Sequence, residues 1–63
     1  MIAIWKERGE WCKEAYTAER FDSIGELREA AKAYAGVLSC VSIYGDIPKE
    51  KALEYFHKDH APR

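Results

Sequence analysis

The stretch FDSIGELREAAKAYAGVLSCVSIY, residues 21–44, decides the fold. Ser23 and Glu26 form a capping box, in which the hydroxyl accepts from an orphan amide of the first turn and the carboxylate reaches back to the cap. A helix therefore starts at Ser23. Ile24, Leu27, Ala31, Tyr34 and Ala35 recur at helical spacing, Glu26, Arg28, Glu29 and Lys32 take the other side, and Gly36 stands where a left-handed residue closes a helix. Gly25 in the first turn costs about 1 kcal/mol against alanine and favours fraying at that end. Beyond Gly36, VLSCVSIY is rich in β-branched residues and lies between Gly36 and Gly45, which makes residues 37–44 a strand.

Upstream, residues 2–7 (IAIWKE) alternate, Arg8-Gly9 offers a hairpin turn, and WCKEAYTA, residues 11–18, extends again. Downstream, Gly45-Asp46-Ile47-Pro48 turns the chain, with Pro48 near the first position of a helix over PKEKALEYFHK whose apolar stripe is Ala52, Leu53 and Phe56. Residues 58–63 are expected to be a loose tail of a single domain spanning 1–63.

The element order is ββαβα, and a right-handed crossover returns the third strand parallel to the second. Placing the most apolar strand between two neighbours gives an α+β fold, a three-stranded sheet of order 2-1-3 packed by a helix, with a short C-terminal helix added. Alternation sets Ile2 and Ile4 against Ala3 and Trp5, and Val37, Val41 and Ile43 against Leu38, Cys40 and Tyr44. The aliphatic set is the expected floor for the first helix, leaving Trp5, Tyr44 and one of Trp11 or Tyr16 on the opposite face. A two-residue turn pairs Trp5 with Cys12 and puts Tyr16 on its face; a three-residue turn puts Trp11 there instead.

Cys12 and Cys40 are too few and too far apart for a disulfide framework or a paired zinc or redox motif, and read as buried small hydrophobes. The strand order separates their strands by a full strand, about 9.6 Å, against the roughly 7 Å between Cα atoms that a disulfide allows. Free thiols are expected.

At 63 residues, 48% hydrophobic and 33% charged, the chain reads as one small folded domain, and its net charge of −1 excludes a broad basic field for nucleic acid or anionic membrane. It shows neither the basic start and apolar core of a signal peptide nor a run of about 18 apolar residues, so a cytoplasmic location is expected.

Candidate chemistry is sparse. Ser23 is a helix cap, Ser39 and Ser42 lie on a strand without a neighbouring histidine, and SIYGDIP lacks the lysine and glycines of a phosphate loop. His57 and His60 have the spacing of metal ligands but fall in a last helical turn, where such side chains complement the helix dipole. No enzyme, cofactor or metal is expected.

The aromatics remain. Either they are core, the quickest route for a small domain to bury area, or they form a contact patch. The contact reading takes Trp5, Trp11, Tyr16 and Tyr44 as the surface, with Lys6, Arg8 and Lys13 setting orientation, and makes the chain a non-enzymatic protein-binding module whose partner is another protein or a second copy of itself, a homodimer. The alternative is a single-stranded nucleic-acid module stacking bases on the same sheet face, although Glu7, Glu10 and Glu14 cancel the nearby cations.

With FDSIGELREAAKAYAG as one capped helix and VLSCVSIYGDIP as strand and turn, the layout resembles the compact accessory proteins that bacteriophages encode to block host machinery, including some anti-CRISPR inhibitors. The resemblance implies a stoichiometric inhibitor of a host protein complex, without chemistry of its own and with no site residues to carry over. The near-neutral charge departs from inhibitors that mimic DNA.

Overall fold

The apolar run IAIW becomes the middle strand because only a central position hides both of its faces. In the computed structural model, which describes residues 1–60, β1 (Ile2–Glu7) lies between β2 (Tyr16–Arg20) and β3 (Leu38–Tyr44) and is antiparallel to both. Helix α1 (Ile24–Ala33) carries the chain from β2 over to β3, and α2 (Lys49–Asp59) follows β3. The α+β class and the 2-1-3 strand order stand as read from the sequence.

The helices divide the faces of β1 differently from expectation. Ala3 and Trp5 pack with Phe21 and Leu27 under α1, whereas Ile2 and Ile4 pack with Ala52 and Phe56 under α2. Each helix thus covers one face, and Ile2, Ala3, Ile4 and Trp5 are all buried. Trp5 is beneath α1 and Tyr44 against the α2 cluster, so the two do not share a face.

The second strand starts later than expected. Residues 8–15 form a long connection with a 3₁₀ turn at Lys13–Ala15, and Trp5 pairs with Thr17 rather than facing Cys12. Neither short-turn register is formed, for a physical reason. Pairing Cys12 with Trp5 sets Lys13 opposite Ile4 and Glu14 opposite Ala3, one charge on each buried face. The observed register puts Tyr16 and Ala18 on the Ile4 face instead, and Phe21 closes the ladder, its N–H donating to the Met1 carbonyl at 2.8 Å.

β3 carries a bulge. Ile4 pairs with Ser42 and Trp5 with Cys40, which leaves Val41 without a partner on β1 and shifts the alternation by one residue. Leu38 therefore packs toward Trp5 while Tyr44, an even number of positions away, packs toward Ile2. Val37, Val41 and Ile43, expected as helix floor, are instead 41–61% exposed along this edge. Cys12 and Cys40 are free thiols, exposed rather than buried.

The capping box forms with a shift. Ser23 Oγ accepts from the Glu26 N–H at 3.2 Å, while Glu26 Oε2 accepts from Asp22 N–H at 3.1 Å, one residue upstream of the usual partner. Gly36 takes φ +87°, as its place after the helix requires. Pro48 is the N-cap of α2, and the helix runs through Lys58, the last residue of PKEKALEYFHK, to Asp59, so the expected tail begins later than residue 58; residues 61–63 lie outside the described residues.

Candidate protein-binding surface

Lys6 of β1 points to the α2 face, since its partner Tyr16 packs there. Its ammonium donates to the Glu10 carbonyl at 2.9 Å and lies 4.0 Å from the centre of the Trp11 ring. A cation over an exposed aromatic contributes about 0.5–1 kcal/mol, enough to give the ring one favoured place. Trp11 nonetheless remains 82% exposed, so it is held without being covered. Gly9 at φ +83° and the Glu10 N–H bond to the Glu7 carbonyl, 3.3 Å, turn the loop that brings Trp11 back over Lys6.

Arg8 is fixed from the other side. Its N–H donates to the Val37 carbonyl at 2.9 Å and its Nε to Ser39 Oγ at 3.3 Å, which anchors the loop to β3. Among the described residues Lys6, Arg8 and Lys13 form no ion pair, so their charges are available to a partner.

The seven expected contact residues separate into two groups. Trp11, Lys6, Arg8 and Lys13 belong to the end of β1 and the loop after it. Trp5, at 2% exposure, is core: its ring stands edge-on to Tyr34 (5.0 Å, 86°) and Phe21 (6.3 Å, 72°) and offers no contact area. Tyr16 is half-buried against Phe56, ring centres 5.1 Å apart, and Tyr44 is half-buried on the same cluster. Among the described residues the sheet has no open aromatic face of the kind base stacking uses, because a helix packs on each side of β1. The Trp5 Nε1 hydrogen has no acceptor among the described residues.

The histidines are packing and capping groups. His60 stacks on Phe56 at 4.3 Å with its Nδ1 3.0 Å from the Phe56 carbonyl, and His57 stands edge-on to Tyr16 at 5.5 Å. Among the described residues no three His, Cys, Asp or Glu side chains gather as a metal site, and no helix is long and apolar enough to cross a membrane.

Two features escaped the sequence reading. Tyr34 OH donates to Glu19 Oε1 at 3.0 Å, a pairing that depends on the β2 register, and this bond with the carboxylate's charge raises the Tyr34 pKa above 10.0. The exposed edge of β3 depends on the bulge, yet one sign of it was present: residues 33–45 carry no charge. No protein family, curated protein or solved structure matches this chain.

Proposed function

We propose that the chain is a non-enzymatic protein-binding module whose contact surface centres on Trp11, with Lys6 positioning the ring and Arg8 and Lys13 orienting the partner. The observation that carries this reading is a tryptophan 82% exposed yet held at 4.0 Å by a lysine ammonium. Tryptophan, tyrosine and arginine dominate binding hot spots, and a ring already placed in the free protein loses little entropy when a partner closes over it. The reading is that of a stoichiometric inhibitor of a host protein complex, as in the small phage proteins whose layout it resembles. Two exposed free thiols, Cys12 and Cys40, suit a reducing compartment such as the cytoplasm.

The test is affinity capture from cell extract with the intact chain and with Trp11→Ala, both checked for fold by circular dichroism. Wild type should retain a partner saturably at one-to-one stoichiometry, and Trp11→Ala should weaken that capture at least about tenfold, the scale of a hot-spot loss. Undiminished capture by Trp11→Ala removes the surface; no saturable protein captured by the wild type removes the binding function itself.

A further inference from the structure

The molecule measures 35 × 27 × 12 Å, and its short dimension is about the width of three strands at roughly 4.8 Å spacing. Each edge strand therefore runs along a broad side of the slab. The two sides differ in chemistry. β2 is five residues long and includes Glu19 and Arg20, the kind of short, charged edge that resists strand pairing. β3 is seven residues long, lies inside the uncharged run 33–45, and exposes Val41 and Ile43, with Val37 exposed just before it.

The middle of this edge also has backbone groups to spare. The Arg8 N–H bonds the Val37 carbonyl and the N–H groups of Val37 and Leu38 both bond the Tyr34 carbonyl, so the start of the strand is spent; beyond it bonded pairs alternate, Ser39 turning its groups to β1 and Cys40 turning its groups outward. Past the bulge, Ser42 and Tyr44 take the bonded places opposite Ile4 and Ile2, so Ile43 faces outward.

We infer that β3 pairs with β3 of a second copy, antiparallel across a two-fold axis normal to the sheet, forming a continuous six-stranded sheet. An axis between Val41 and Ser42 sets Cys40 against Ile43 of the second copy in both halves, so outward groups meet outward groups. Charge selects the same arrangement. Arg8 lies at the start of β3, bonded to Ser39, and Asp46 lies beyond its end, where Oδ1 pairs with Arg20 of β2 at 2.8 Å and the carboxylate is still 82% exposed and open to a second cation. Antiparallel pairing brings Arg8 of each copy to Asp46 of the other; parallel pairing opposes like charges. The 35 × 27 Å side is on the order of the ~800 Å² per partner of a standard interface. Trp11 itself lies outside this surface, and Arg8 is the one residue that the two share.

Sedimentation equilibrium of the full chain under reductant tests the inference. Wild type should dimerise in the micromolar range, and Ile43→Lys should be monomeric while keeping its circular dichroism spectrum. Arg8→Asp and Asp46→Arg should each weaken self-association about tenfold or more, and an equimolar mixture of the two should dimerise, because both intercopy contacts are then complementary. Trp11→Ala should dimerise like wild type. A wild type monomeric at millimolar concentration, a dimer untouched by Ile43→Lys, or a mixture no stronger than its components overturns the β3 pairing. None of these outcomes bears on Trp11 capture, which stands or falls by its own variant.

Discussion

Two tryptophans six residues apart have opposite fates because alternation and loop length treat them differently. Trp5 is buried by α1, and replacing it with alanine should cost about 3–5 kcal/mol, the range for emptying a large aromatic site. That loss is comparable to the whole stability of so small a domain, so Trp5→Ala should be unfolded at 25 °C. Trp11→Ala, losing only the lysine contact, should shift the urea midpoint by less than about 1 kcal/mol equivalent. Equal denaturation profiles for the two variants would refute this division of roles. A second residue-scale prediction concerns pH. The raised Tyr34 pKa means the fold favours the protonated phenol, so this contribution is intact below about 10 and is lost as pH climbs through the raised value. Glu19→Gln removes the carboxylate's charge, and ultraviolet titration of the tyrosinates should then show Tyr34 ionising at lower pH; an unchanged titration would dissociate Glu19 from the effect.

At the scale of elements, α1 was legible almost entirely, because its signals are local. Ser23, Glu26 and Gly36 act within one turn of themselves, and each does in the structure what its residue type requires, apart from the one-residue shift of the Glu26 carboxylate. The glycines at its two ends give predictions of opposite sign. A Cβ on Gly25 meets only Ser23 Oγ at 3.7 Å, an ordinary contact, so Gly25→Ala should stabilise the protein by up to about 1 kcal/mol. Gly36→Ala should destabilise it although its Cβ meets open space, because φ +87° is strained for any side chain. Thermal melts of the pair showing the same sign would contradict the assigned helix ends. The start of β2 and the facing of β3 were not legible, for they depend on partners distant in sequence. Nothing local to WCKEAYTA says that Lys13 and Glu14 must avoid β1, and nothing local to LSCVSIY marks Val41 as the bulged residue. The expected contact residues divide the same way: Lys6, Arg8 and Trp11, neighbours in sequence, do lie together in space, whereas Trp5 is buried beneath α1, a helix expected on the other face.

For the molecule as a whole, the arrangement makes one strand responsible for two cores. Ile2 and Ile4 serve the α2 cluster and Ala3 and Trp5 the α1 cluster, so neither half can open without exposing β1, and unfolding should be a single transition. A chain of 63 residues buries only about 60% of its unfolded surface, which leaves a thin margin for the monomer. Pairing through β3 adds to that margin by mass action, since a second copy binds the folded edge and not the unfolded chain. The melting temperature should therefore rise with protein concentration, by roughly 3–6 °C for each tenfold increase above the dimer dissociation constant, given the few degrees per kcal/mol typical of this size. Ile43→Lys should melt at one temperature throughout the same series, near the wild type's dilute limit, because it removes the pairing without touching either buried cluster. A concentration-independent wild type would place all of the stability in β1 and its two helices, and the uncharged edge of β3 would then need an occupant other than this chain.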